Sequence, residues 1–188
     1  MFIRVKKVKK RSGKVYEYAH LVRGVWRKRR LTSDTQGNRR FRKFNNSIHD
    51  YQKFLGRVYR FEKLDKDIDF DGFEDYVCKN KTEDIYKKLV EFELLCRGFK
   101  LRKGVYVIGN LHVDLRRSIV HDGKSDVVIK LQDLGGYLCS STLDDLFQVK
   151  KISNRYEGLY LMKKLKAVGI KLDSDQFFIL ADKLLKEN

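Results

Sequence analysis

The residues with the plainest chemistry are cations, and they arrive in bursts. Lys6, Lys7, Lys9, Lys10, Arg11 and Lys14 form the first, Arg27, Lys28, Arg29 and Arg30 the second, and Arg39, Arg40, Arg42 and Lys43 the third, with Arg23 between the first two. Ammonium and guanidinium groups at this density neutralise phosphates and release condensed counterions, which supplies affinity without reading sequence. Arginine also forks onto a phosphate or a guanine edge. Tyr16, Tyr18 and Trp26 stand among the bursts. Such rings stack on unpaired bases for about 1–3 kcal/mol each. Trp26 has a competing use, because a basic module this short holds few other large side chains for a core.

Position matters more than total. Residues 1–60 hold 19 Lys and Arg against three acids (Glu17, Asp34, Asp50), a net +16, whereas residues 61–188 hold 23 against 22, a net +1. The 188-residue chain carries +17, with an isoelectric point near 9.8. A polyanion is therefore the expected partner, either nucleic acid or an anionic membrane surface. Residues 1–60 contain no basic amphipathic helix, which disfavours the membrane surface. No apolar run approaches the roughly 18 residues that span a bilayer, and the opening Met1-Phe2-Ile3-Arg4-Val5 lacks the apolar region of a secretory signal.

Other chemistries find less to rest on. Asp67-Ile68-Asp69-Phe70-Asp71-Gly72 matches four positions of a calcium loop, but Cys78 stands where that loop needs a bidentate glutamate. His112-x-Asp114 is too thin for a zinc site, with His20, His49 and His121 distant in sequence. Cys78, Cys96 and Cys139 are odd in number and widely spaced, which disfavours a disulfide scaffold. They read as reduced, buried small hydrophobes of a cytoplasmic protein. No glycine-rich phosphate loop or Gly-x-Ser-x-Gly elbow occurs.

These residues need elements to position them. Phe2–Val5, Val15–Val22, Gly24–Trp26 and Lys53–Arg60 are β-branched and aromatic runs that suit strands, with turns at Ser12-Gly13 and across residues 34–38. They predict a small antiparallel sheet with basic loops over residues 1–62. Seven acids between Glu62 and Asp75 mark residues 63–80 as an acidic connector. From residue 81 to 188 the pattern is α+β. A helix opens at Thr82-Glu83-Asp84, carries Ile85, Leu89, Phe92 and Cys96 on one stripe and ends at Gly98. Strand-like runs follow at Val105–Ile108, Leu111–Leu115 and Asp126–Leu131, with a tight hairpin at Gly109-Asn110 and a type I′ turn at Asp122-Gly123. A short helix falls near Leu143–Phe147. Helices over Arg155–Val168, stopped by Gly169, and Ser174–Lys186, opened by the Asp173-x-x-Gln176 capping box, close the chain.

Two resemblances sharpen these expectations. Phe2-Ile3-Arg4-Val5-Lys6-Lys7, Tyr18-Ala19-His20-Leu21-Val22 with its following basic burst, and Lys53-Phe54-Leu55-Gly56-Arg57-Val58-Tyr59 resemble the N-terminal segment of some DDE-type prokaryotic transposases, and of uncharacterised archaeal proteins sharing that opening. The likeness covers about 60 residues and implies association with DNA. It stops short of the catalytic domain, so transposition is not expected. The helix, hairpin and strand of the second part resemble the core of PD-(D/E)xK (restriction-endonuclease-like) nucleases. That resemblance implies metal-binding acids at Glu93 and Asp114 and a catalytic lysine at Lys130, around Mg²⁺. Val128 occupies the position of the family's remaining acid.

The leading expectation is an α+β protein that grips nucleic acid, DNA above RNA, through its basic N-terminal module without a cofactor. Its second part is expected to supply contacts to a protein partner or a second copy, or a degenerate nuclease-like scaffold. The alternatives are a Mg²⁺-dependent nuclease and an RNA-binding protein of a ribonucleoprotein.

Overall fold

The computed structural model describes residues 1–26, 32–33, 39–40, 47–64, 70–131 and 135–186. The fold is α+β, and the chain divides into two compact units, Met1–Leu55 and Gly56–Asn188.

The first unit grows from a long hairpin. Strands β1 (Phe2–Lys9) and β2 (Val15–Trp26) pair antiparallel from Phe2↔Val22 to Lys9↔Val15. The turn between them is closed by the Gly13 amide donating to the Lys10 carbonyl at 2.9 Å, with Gly13 at φ 79°. That positive φ is reached at no steric cost only by glycine. Strands β3 (Thr32–Ser33) and β4 (Arg39–Arg40) make a two-residue ladder. Strand β5 (Ser47–Phe61) is far longer than the Lys53–Arg60 run expected, and its first part lies beside β2. The basic burst at residues 6–9, expected in a loop, belongs to β1 because the hairpin pairs all the way to Lys9.

The second unit takes up β5 at Gly56. Helices α1 (Phe73–Lys79) and α2 (Thr82–Leu95) follow, α1 lying inside the stretch expected as an acidic connector. Next come β6 (Lys100–Arg102), β7 (Val105–Ile108), β8 (Leu111–Asp114) and β9 (Ile119–His121), an antiparallel sheet in that order. Strand β10 (Val127–Leu131) pairs in parallel with Arg57–Phe61 of β5, and antiparallel with β11 (Gly136–Leu138). Helices α3 (Ser140–Phe147), α4 (Arg155–Val168) and α5 (Ser174–Lys186) complete the chain.

The parallel pairing was not expected, but the sequence of β10 explains it. Val127, Val128, Ile129 and Leu131 are all buried, the near-continuous apolar run of a strand covered on both faces. Val127, Ile129 and Leu131 join Ile85, Tyr86, Leu89 and Leu94 of α2 and Leu143, Leu161 and Leu180 of the later helices in one core. Close approach is built in at glycines. Gly56 has φ 112°, and a Cβ there would overlap the Asp126 carbonyl oxygen. A Cβ on Gly136 would overlap the backbone of Gly169, the left-handed C-cap of α4.

The helix ends follow local chemistry. Asn154 caps α4 by accepting from the Glu157 amide at 3.0 Å, and Asp173 and Gln176 form the expected reciprocal box, at 2.8 and 3.3 Å. The two-residue hairpin at Gly109-Asn110 joins β7 to β8. The Asp122-Gly123 turn differs from expectation. Only Gly123 of that pair has positive φ, so it is not type I′, and the Asp122 carboxylate instead accepts from the Lys124 and Ser125 amides at 3.1 and 3.0 Å. Cys78 is exposed rather than buried, because α1 turns it outward opposite buried Phe73 and Val77. Among the described residues no helix is long and apolar enough to cross a membrane.

Candidate nucleic-acid interface

Alternation along a strand sends successive side chains to opposite faces, so the β1–β2 register sorts the basic residues. Phe2, Arg4 and Lys6 share one face with Val22, His20 and Tyr18, their cross-strand partners. Lys7 and Lys9 go to the other face, where Lys7 pairs with Glu17 at 3.8 Å. The first burst is thereby split, and Lys10, Arg11 and Lys14 sit exposed at the turn.

The face with Arg4 and Lys6 is aromatic. Strand β5 contributes His49, Tyr51 and Phe54 to it. The ring centroids lie 5.2 Å apart for Phe2 and His49, 4.9 Å for His20 and Tyr51, 5.3 Å for His20 and Phe54, and 6.0 Å for Tyr18 and Phe54. Phe54 comes to the same face as Tyr51 three residues earlier, so the alternation slips by one between them, as at a β-bulge. Cations interleave with the rings. Lys6 Nζ lies 4.6 Å from the Tyr51 centroid, Lys10 Nζ lies 4.8 Å from that of Tyr16, and an Arg4 N–H donates to His49 Nδ1 at 2.9 Å. Burial, and then the Lys6 ammonium, hold the His20 imidazole below its ordinary pKa, so at neutral pH it joins the face as a ring and not as a cation.

Acids avoid this face. Glu17 alternates away from it, and Asp50, hydrogen-bonded by Gln52 at 2.8 Å, lies between His49 and Tyr51 and points oppositely. Among the described residues of the first unit these are the two acids. Phe2, Tyr51 and Phe54 stay 45%, 43% and 58% exposed. Sequence reasoning singled out Tyr18 and the lysines but passed over Phe2, Arg4, His20, His49, Tyr51 and Phe54. The period-two spacing of Phe2-x-Arg4-x-Lys6 and Tyr16-x-Tyr18-x-His20 was the signal that would have found the first half.

Arg23 is exposed near the end of β2. Arg39 and Arg40 lie on β4. Arg27, Lys28, Arg29, Arg30, Arg42 and Lys43, and the side chain of Trp26, lie outside the described residues.

The three residues of the nuclease resemblance fall in three places. Glu93, buried on α2, pairs with the wholly buried Arg97 one turn on and with Lys63 at 3.5 Å. Asp114 ends β8, where its carboxylate accepts from the Arg116 and Arg117 amides at 2.9 and 3.2 Å and closes the turn into β9. Lys130 lies on β10, in a different sheet from Asp114, with its ammonium 5.7 Å from the Tyr137 ring. Each therefore has a local structural partner. Among the described residues no three His, Cys, Asp or Glu side chains gather to hold a metal ion. His112 and His121, cross-strand partners on β8 and β9, meet as stacked rings 4.9 Å apart. Of the calcium-loop motif, residues 67–69 lie outside the described residues, while Gly72 is the left-handed N-cap of α1.

In the second unit, α4 and α5 border a groove of about 890 Å³ lined by Leu159, Met162, Phe177, Phe178 and Leu185.

No protein-family model, curated protein or solved structure matches this chain.

Proposed function

We propose that the protein binds nucleic acid, DNA above RNA, through the first unit, gripping the phosphate backbone with lysine and arginine. The observation that carries this reading is charge segregation. Residues 1–60 hold +16 of the +17 net charge, and the aromatic sheet face presents Arg4 and Lys6 with both described acids turned away. A surface of one sign without internal acid partners keeps its cations available for phosphates and steers a polyanion toward it. The role expected of the second unit, contacts to a protein partner or a second copy, is supported by the apolar groove beside α4 and α5, where Met162 and Phe178 are exposed.

A gel-shift titration with labelled duplex DNA, single-stranded DNA and structured RNA, with and without Mg²⁺, tests the proposal. The expected result is a shifted but uncut ligand whose affinity falls steeply between about 50 and about 200 mM salt. Changing Arg27, Lys28, Arg29 and Arg30 together to Ala should weaken binding to every sequence and flatten the salt slope. Salt-insensitive or absent binding sinks the reading. Mg²⁺-dependent cutting abolished by Asp114→Ala would replace it with the nuclease alternative.

A further inference from the structure

We infer that the aromatic face of the first unit takes a single strand with unpaired bases, the bases stacking on Phe54, Tyr51 and Phe2 while Arg4 and Lys6 hold its phosphates. The inference rests on the proposed nucleic-acid binding and narrows it to one form of the polymer.

Three observations converge. The first is the rings' exposure, between 43% and 58%, on a strand surface where large apolar side chains normally face inward. Each contacts a ring of β2 or β5, Phe2 against His49, Tyr51 against His20 and Phe54 against Tyr18 and His20, with centroids 4.9–6.0 Å apart. The second is the interleaving of cations and rings: Lys6 rests over Tyr51, and Arg4 reaches from the partner position of His20 to His49. A flexible lysine ammonium leaves a ring for a phosphate at little cost, which frees that ring face as the strand arrives. The third is charge complementarity, since the face carries cations and neither described acid of the unit. A sheet that displays aromatic rings beside cations is suited to splayed-out bases, whose π-faces every nucleotide offers.

Duplex DNA cannot use the rings. Its bases are stacked on one another and show only their edges in the grooves, so a duplex meets this face through its phosphates alone. Charge by itself predicts the opposite preference. Each neutralised phosphate contributes a salt slope of about 0.9 on a duplex and about 0.7 on a single strand, so cations alone favour the more densely charged duplex. A preference for the strand is therefore diagnostic of stacking.

The test is fluorescence anisotropy on the full chain, with a labelled oligothymidylate and a duplex of equal length at the same salt. The expected result is tighter binding of the strand. Phe54→Ala and Tyr51→Ala should each lower strand affinity about tenfold and leave duplex affinity within about twofold. Phe54→Leu keeps the apolar bulk but not the π-face and should behave as Phe54→Ala does, while Phe54→Tyr should retain binding. Retained duplex affinity shows in each case that the sheet is folded. If the wild type binds duplex as tightly as strand, or if the ring variants lower both together, the inference is overturned while nucleic-acid binding stands. If neither ligand binds with salt dependence, the parent reading falls and takes the inference with it.

Discussion

The rings on the sheet face of the first unit differ from those in the core of the second, whose exposed rings, Tyr156, Tyr160 and Phe178, lie on helices α4 and α5. In the first, Phe2, Tyr51 and Phe54 remain 43–58% exposed. In the second, Phe73, Tyr86 and Phe99 are at most 6% exposed, within a core that draws on both sheets and all five helices. Charge follows the same division, with cations in large excess before residue 61 and near balance after it. Among the described residues of the first unit there are strands and the turn between β1 and β2, with no helix to cover a sheet face. The second unit has helices to spare for covering, and it spends its acids on pairing: Glu93 with Arg97 and Lys63, Glu83 with Lys87, Asp145 with Lys164. The contrast separates a basic sheet face whose rings stay exposed from an apolar core enclosed by helices and strands.

That contrast can be broken or sharpened by mutation. The largest effect belongs to the buried pair of the second unit. Glu93→Ala removes the carboxylate beside a wholly buried guanidinium and should cost about 3–5 kcal/mol in urea denaturation. It should leave nucleic-acid affinity of the folded protein unchanged. A fall in affinity without a fall in stability would instead give Glu93 a functional role. Gly56→Ala should cost about 1–3 kcal/mol, because the residue holds φ 112° and an added Cβ would fall on the Asp126 carbonyl oxygen. A neutral outcome would mean that β5 and β10 pair with more slack than this.

Asp122 tests a smaller effect. Amide hydrogen bonds from Ser125, and then Lys124, help hold its carboxyl below the usual range, and Tyr59 donates to it at 3.3 Å. A depressed folded pKa contributes stability that is present above the unfolded pKa and is lost as pH falls through the folded one. Asp122→Asn should therefore cost about 1 kcal/mol at neutral pH, and the deficit should shrink as pH falls below the ordinary aspartate range, read from thermal melts across pH. A deficit constant with pH would trace the loss to geometry and not to charge. The smallest stability change is expected at the exposed ring of Phe54: Phe54→Ala should shift stability by no more than about 0.5 kcal/mol. A large loss there would mean that Phe54 supports the sheet and would erase the distinction between the units.

Local signals in the sequence were good guides to local structure. Arg155–Val168 and Ser174–Lys186 match α4 and α5, because Asn154, Gly169 and the Asp173–Gln176 box act within one turn of the helix ends they define. Thr82 opens α2, with the N-cap one residue earlier at Lys81. Strands β6, β9 and β11 escaped notice because each has three residues, too few to show a period. The candidate site was half legible. Arg4, Lys6 and Tyr18 declare their types in the chain, but the face they share with Tyr51 and Phe54 exists only after β5, some thirty residues away, lies beside β2.

The sequence by itself determined where the charge lies, that α2, α4 and α5 are helices, and that the fold is α+β. Those properties depend on composition and on contacts within a few residues. Tertiary structure alone decided that β5 pairs with β10 in parallel, that Asp114 and Lys130 belong to different sheets, that His112 stacks on His121, and that the aromatic rings of three strands form one face. Strand pairing joins segments tens of residues apart, and a shift of one residue in register sends every side chain to the other side. No local pattern records that choice, so it is settled only when the distant strands meet.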